Sequence, residues 1–317
     1  MDMVAPAIDS APLPSDDVDE QAAIEPGQIT VIFNPTAGSR RHRKLRAALH
    51  ALAELGLTAT VVETKGPGDA ERIARHAAKT DRGIVVVAGG DGTINEAVNG
   101  LLSVQGPIPP LAIIPLGTAN VLALEIGLST DPRAAARAIA GNKRLTVRPG
   151  CINGRNFVMM VGIGFDGAVV AGVSTKWKRR IGRGIYAVRT FVEAWRYPFP
   201  KLRGTIDGVA FAARWVVVCR GRHYGGPFVV APEASLALPR LSVCLLPGSG
   251  PWSVLRYGIA LISGRMPWLS DIVVKCGQTV TVEAEGDLPI QGDGDIVARL
   301  PVEISLSERP IELIVPA

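Results

Sequence analysis

Residues 84–100 read Ile-Val-Val-Val-Ala-Gly-Gly-Asp-Gly-Thr-Ile-Asn-Glu-Ala-Val-Asn-Gly. A β-branched run breaks into glycines, and a helical pattern follows without a spacer. An uninterrupted apolar run such as Ile84 to Ala88 fits a strand buried on both faces. The glycines of Gly89-Gly90-Asp91-Gly92-Thr93 let the backbone turn sharply and approach a ligand closely. The helix that starts there offers free N–H groups and the positive end of its dipole to a phosphate. In open α/β sheets the carboxyl ends of strands are where ligands bind. The turn fits neither the Walker pattern nor the dinucleotide G-x-G-x-x-G pattern. Taken alone, a tight strand-to-helix turn capped by Asp91 or Thr93 would also account for it.

The surrounding chain sets this turn in a larger pattern. Strands are predicted at 29–33, 59–62, 84–88 and 111–114, alternating with helices at about 40–55, 69–79, 93–102, 118–126 and 132–140. That order implies a three-layer α/β domain around a mainly parallel sheet. After about residue 145 the texture becomes strand-rich. Asn153-Gly154 and Asp207-Gly208 are hairpin signals between apolar runs. Strands are expected near 157–163, 203–206, 211–219, 241–246, 272–275, 279–284, 302–306 and 311–315, with helices at about 184–196 and 251–263. This half reads as a β-sandwich-like domain. The division expected is a disordered acidic tail at 1–27, an α/β nucleotide-binding domain at 28–147 and a β-rich domain at 148–317.

Two more strand-end turns strengthen the phosphate reading. Asn34-Pro35-Thr36-Ala37-Gly38-Ser39 follows the first strand, and Leu116-Gly117-Thr118-Ala119-Asn120 follows the fourth. Three small, polar loops should converge on one edge of the sheet, where a nucleotide with several phosphates is the natural occupant. Asp293-Gly294-Asp295 adds two late carboxylates. Their spacing puts both on one face if the segment is extended; a solvated Asp-Gly-Asp turn is the plainer alternative.

Taken together and in order, Asn34-Pro35-x-x-Gly38, Gly89-Gly90-Asp91-Gly92-Thr93, Pro115-Leu116-Gly117-Thr118-x-Asn120 and Asp293-Gly294-Asp295 resemble the diacylglycerol kinase catalytic-domain family, which includes bacterial lipid kinases and sphingosine kinases. Gly162-Ile163-Gly164-Phe165-Asp166 and Gly221-Arg222-x-Tyr224-Gly225-Gly226 match its second-domain segments. The resemblance runs from about 28 to 316. It implies an ATP-binding α/β domain and a lipid-binding β-sandwich with catalysis in the cleft between them, and phosphorylation of a lipid hydroxyl. By the same resemblance, the last strand is expected to return to the first domain. Asn34, Pro35, Gly38, Thr64, Gly89, Gly90, Asp91, Gly92, Thr93, Glu96, Gly117, Thr118 and Asn120 would hold ATP. Asp166 would contact the lipid head group; a turn-capping aspartate is the alternative. Asp91, Asp293 and Asp295 are the candidate bases, with the late pair favoured, and Mg²⁺ would accompany the nucleotide.

The chain departs from the family in three places, one being Val121, which follows Asn120 where many relatives carry Asp. Asp295 stands where relatives usually carry Glu. Residues 237–242, Ala-Leu-Pro-Arg-Leu-Ser, lack the carboxylates with which bacterial diacylglycerol kinases hold a structural Mg²⁺, so none is expected there.

Charge narrows the partners. The 34 Lys and Arg against 29 Asp and Glu give +5, but seven of those acids fall in residues 1–28, which hold no Lys or Arg, leaving a body of +12. A basic body suggests an anionic partner. The clusters are Arg40, Arg41, Arg43, Lys44 and Arg46, and Lys176, Lys178, Arg179, Arg180 and Arg183 beside Trp177 and Tyr186. Each reads as a solvated helix face, or, respectively, as a lure for ATP and a dock for anionic lipid. Trp177, Trp195, Tyr197 and Phe199 would either anchor at a bilayer or pack in a core. No apolar run reaches membrane-spanning length, no signal peptide is seen, and the four cysteines read as reduced thiols. A cytoplasmic, peripherally membrane-associated enzyme follows, with a lipid partner and no nucleic-acid partner; a homodimer is compatible. Diacylglycerol is the default acceptor, then a sphingoid base or other lipid alcohol. A non-catalytic regulator of the same fold and an NAD kinase-like enzyme are the alternatives.

Overall fold

The computed structural model describes residues 29–80, 83–172, 190 and 192–317. The acidic tail, the 176–183 cluster and the first part of the helix expected at 184–196 lie outside these residues. The chain divides into two units, residues 29–146 with 311–317, and residues 147–310.

In the first unit, β1 (Ile29–Phe33), α1 (Arg41–Glu54), β2 (Ala59–Glu63), α2 (Asp69–Thr80), β3 (Ile84–Gly89), α3 (Asp91–Leu102), β4 (Leu111–Pro115), α4 (Val121–Glu125), α5 (Pro132–Gly141) and β5 (Arg144–Val147) follow one another. The helices start where side chains permit. Asp131 caps α5, its Oδ1 accepting from the Arg133 N–H at 3.2 Å, with Pro132 at the first helical position. On α2, Ala70, Ile73, Ala74 and Ala77 are buried, the i, i+3, i+4, i+7 stripe of a helix facing a core. The fourth helix starts three residues later than expected because Asn120 adopts left-handed backbone (φ 49°) immediately before it.

The second unit opens with β6 (Gly150–Ile152), β7 (Arg155–Phe157), β8 (Met160–Gly164) and α6 (Phe165–Gly172). Residues 192–196 are helical. Then come β9 (Leu202–Ile206), β10 (Val209–Ala213), β11 (Trp215–Cys219), β12 (His223–Tyr224), β13 (Phe228–Val229), β14 (Leu241–Leu246), α7 (Gly250–Ile262), a 3₁₀ turn at Met266–Trp268, β15 (Val273–Gly277), β16 (Val280–Glu283), β17 (Pro289–Gly292), β18 (Asp295–Arg299) and β19 (Val302–Leu306). The last strand, β20 (Ile311–Ile314), belongs to the first unit, between β4 and β5.

The first sheet has the order β2-β1-β3-β4-β20-β5, with parallel pairing from β2 through β20. α1 and α5 pack on one face over Val31, Phe33, Val86, Ala88, Ala112 and Ile114. α2 and α3 pair with each other, and α3 packs on β3. The layers are those expected. Since β2 and β3 lie on opposite sides of β1, the strand order reverses between β1 and β3, the kind of position at whose carboxyl ends open α/β sheets bind ligands.

The second unit is a sandwich of two antiparallel sheets, β10-β9-β16-β19-β6-β7 and β15-β14-β11-β8-β17-β18. Their inner faces share one core, with Leu202, Val280 and Ile304 from one sheet and Ile163, Val216 and Val243 from the other.

Three expectations need correction here. The strand expected at 157–163 is interrupted at Val158 and Met159, whose amides bond elsewhere. The strand expected at 211–219 breaks at Arg214 into β10 and β11. Asp293-Gly294-Asp295 is not extended: Asp293 (φ 50°) and Gly294 (φ 93°) form the two-residue turn between β17 and β18. Asn153-Gly154 and Asp207-Gly208 repeat the same positive-φ pair, the signature of type I′ hairpin turns.

Candidate functional site

The register Phe33↔Ala88↔Ile114 brings the chain out of β1, β3 and β4 side by side. The Asn34 N–H continues the ladder to the Ala88 carbonyl at 3.0 Å, and Leu116 and Gly117 N–H bond the Gly89 carbonyl at 2.9 and 3.2 Å. The three loops therefore begin as one surface. Asn34 ties two of them together. Its Nδ2 donates to Thr93 Oγ1 at 2.8 Å, and its Oδ1 accepts from the Thr36 N–H and hydroxyl at 2.9 and 2.8 Å. Pro35 is half-buried in the same loop, and Gly38 is held through its carbonyl by Arg41 Nη1 at 3.0 Å.

α3 begins at this surface with Gly90 as its N-cap and no side-chain cap. The first-turn amides of Gly92 and Thr93 are thus left for an anion. Gly117 approaches from the β4 loop so closely that a Cβ on it would stand 2.7 Å from Gly90 Cα and 2.8 Å from Asn120 Oδ1. Backbone from two strand ends is therefore bare of side chains where it converges. Asn120 donates its Nδ2 to the Gly117 carbonyl at 2.9 Å, while its buried Oδ1 has no hydrogen-bond partner among the described residues. A buried unpaired oxygen beside a bare turn is a place for a ligand donor. Thr118 is exposed on this loop.

Asp91 closes the third side. Leu122 N–H donates to its Oδ1 at 3.2 Å, at the start of α4. Burial pushes its carboxyl above the ordinary range, opposed by the amides of residues 120–122. Two expected nucleotide residues serve the frame. Thr64, buried after β2, donates its N–H to the Phe33 carbonyl at 2.9 Å. Glu96 accepts from Ala70 N–H at 3.2 Å and so fastens α3 to the first turn of α2.

The second unit holds the late acids. The Asp293 carboxylate accepts from the N–H groups of Val158 at 2.6 Å, Met159 at 2.9 Å and Met160 at 3.0 Å. These bonds divide β7 from β8 and pin the β17–β18 turn. Asp295, two residues on, is exposed at the start of β18. The turn is also tied to α6: Gly294 N–H donates to Gln291 Oε1 at 2.9 Å, and Gln291 Nε2 donates to Asp166 Oδ2 at 2.7 Å. Tyr224 O–H donates to Asp166 Oδ1 at 2.6 Å. Asp166 is buried in the first turn of α6, and a Cβ on Gly162 would fall 1.8 Å from its Oδ2. Gly162 is thus required for Asp166 to fold back on β8. Burial pushes the Asp166 carboxyl up, offset by Tyr224 and Gln291.

Sequence reasoning missed Gln291 and Arg220. Arg220 has no solvent exposure; it donates to the carbonyls of Arg148 at 2.8 Å, Leu238 at 2.8 Å, Leu236 at 2.9 Å and Arg240. Burial pulls its guanidinium down to about 10, still charged at neutral pH. It holds the loop that lacks the family's carboxylates. Tyr197 and Phe199 pack around Phe165 in a core cluster, whereas Trp195 is exposed.

Residues 28–152 match the family model described as the diacylglycerol kinase catalytic domain, and residues 159–315 that described as the YegS C-terminal NAD kinase beta sandwich-like domain. The chain is 31% identical over 307 residues to a diacylglycerol kinase of Mycobacterium tuberculosis, covering 92% of this chain and 96% of that one. It is 28% identical over 296 residues to a diacylglycerol kinase of Bacillus subtilis, covering 90% and 95%. A crystal structure of a diacylglycerol kinase from Bacillus anthracis shares the fold, with a TM-score of 0.74 and 24% identity over 91% of this chain and 96% of that one.

Proposed function

The chain belongs to the diacylglycerol kinase catalytic-domain family and is an ATP-dependent lipid kinase; from this we propose that it transfers the γ-phosphate of ATP to the free hydroxyl of diacylglycerol. The observation that carries the nucleotide assignment is the bare backbone where Gly90 and Gly117 meet beside the uncapped start of α3. The phosphates bind the first-turn amides of α3, and Asn34, Thr93 and Asn120 fix the loops around them. Mg²⁺, when bound with the nucleotide, neutralises charge on the phosphates.

Asp295 is the carboxylate that accepts or orients the hydroxyl proton. Asp295 is exposed at the start of β18, where a substrate can reach it, beside a turn that Asp293 and Gln291 hold rigid. Asp166, with both oxygens engaged, positions Gln291 and through it that turn. The smaller reach of Asp295, relative to Glu, makes the proton transfer depend on that rigidity.

Labelled phosphate from ATP, offered with diacylglycerol, a sphingoid base and other lipid alcohols, tests the reading. Transfer to diacylglycerol in preference to the rest supports it. Preference for another lipid alcohol replaces the acceptor. ATP binding without transfer to any lipid would identify a non-catalytic regulator.

A further inference from the structure

α7 carries an apolar face that nothing in the described protein covers. Trp252 is 76% exposed, Leu255 44%, Ile259 59% and Ile262 73%. At 3.6 residues per turn these four lie within an arc of about 80°. Val254, Tyr257 and Ala260 form the buried side. The 3₁₀ turn that packs on α7 presents Trp268, 83% exposed. The chain just after this turn is fastened to α7, since Tyr257 O–H donates to Asp271 Oδ2 at 2.9 Å and Arg256 pairs with the same carboxylate. β15 then exposes Val273 and Val274. No helix among the described residues is long and apolar enough to cross a membrane.

The charges around this face are predominantly basic. Between residues 248 and 275 the basic residues are Arg256, Arg265 and Lys275, all exposed, and the single acid is Asp271. A large apolar face with a basic rim and two tryptophans is the composition of helices that lie in a bilayer interface. A second copy of this chain fits less well, because a two-fold interface would bring two identical basic rims together.

We propose that the exposed face of α7, with Trp268, is the surface by which this protein docks on an anionic bilayer. The proposal rests on the lipid-kinase reading and names the surface through which it reaches its acceptor. Trp252 and Trp268 sit at the headgroup level, and Leu255, Ile259 and Ile262 enter the acyl boundary.

Vesicles of phosphatidylcholine with and without phosphatidylglycerol test it by flotation and by tryptophan emission. The full chain is expected to float with the anionic vesicles, with a blue shift and quenching by brominated acyl chains. The double variant Trp252→Ser, Ile262→Ser is expected to bind about tenfold more weakly or worse. Its melting temperature and its turnover of a short-chain, water-soluble diacylglycerol are expected to match the wild type, while turnover of vesicle-borne diacylglycerol falls with binding. Unchanged vesicle binding in the variant, or absence of quenching in the wild type, overturns the proposal. So does a concentration-dependent dimer that the variant loses while vesicle binding stays intact. Vesicle binding needs no ATP, so failure of the kinase reading would appear as α7-dependent binding without phosphate transfer.

Discussion

The two late aspartates should separate stability from turnover. Asp293 accepts three backbone N–H bonds at 2.6, 2.9 and 3.0 Å. A hydrogen bond to a charged group contributes about 1.5–3 kcal/mol net. The three share one half-buried carboxylate, and the released amides regain some water, so about 3 kcal/mol is a fair sum. Asp293 also sits at φ 50°, where alanine adds a further ~1 kcal/mol of strain. Asp293→Ala should therefore lose about 4 kcal/mol, a fall in melting temperature of roughly 8–16 °C for a unit of this size. Asp293→Asn tolerates the backbone and keeps one acceptor oxygen, and should lose about half as much. Asp295→Asn, at an exposed site, should melt within about 1 °C of wild type but turn over about 10²-fold more slowly. Calorimetric melting and labelled phosphate transfer at saturating substrate measure both. If Asp293→Ala melts like wild type, the amide bonds are not what holds the turn. If Asp295→Asn turns over normally while Asp293→Asn loses turnover without loss of stability, the base is Asp293 and the assignment made above is wrong.

Gly117→Ala puts a methyl group 2.7 Å from Gly90 Cα, and is expected to weaken binding of a fluorescent ATP analogue by about tenfold or more; affinity within twofold of wild type would show that the bare turn is not the phosphate cradle. Burial raises the Asp166 carboxyl above its ordinary value of 3.8, so the folded state holds this proton to higher pH than the unfolded chain. Its favourable contribution is complete below that ordinary value and is lost as pH rises through the raised one. Relative to Asp166→Asn, the wild type should lose stability in urea melts as pH rises across that window, and a pH-independent difference counts against the buried-acid reading. Arg220→Met removes the donor to the carbonyls of Arg148, Leu236 and Arg240 and one of the two donors to Leu238, with an expected loss of about 3–5 kcal/mol; a chemical-denaturation midpoint near wild type would refute the carbonyl-clamp role.

What was legible in the sequence followed local chemistry. β1, β3 and β4 declared themselves as apolar runs, and the turn after each as small polar residues, because a buried parallel strand and a helix N-terminus both impose their composition on contiguous residues. β17 and β18 did not, since Pro289-Ile-Gln-Gly and Asp295-Ile-Val-Ala-Arg mix polar residues into a strand beside the site. The Asp293-Gly294 turn was within reach of the same rule that found Asn153-Gly154 and Asp207-Gly208; weighing its two carboxylates as an extended pair hid it. The remaining relations have no local signature. Asp293 takes amides 133 to 135 residues away, Gln291 meets Asp166 across 125, and Arg220 gathers carbonyls up to 72 residues distant. Arginine is ordinarily a surface residue, so nothing near position 220 marks it as a buried clamp. The spacing of Trp252, Leu255, Ile259 and Ile262 is visible in the sequence, but α7 is apolar on both sides, and such a helix reads as core. Only the packing of Val254, Tyr257 and Ala260 shows which side is already occupied, and that leaves the other side as a surface in need of a partner.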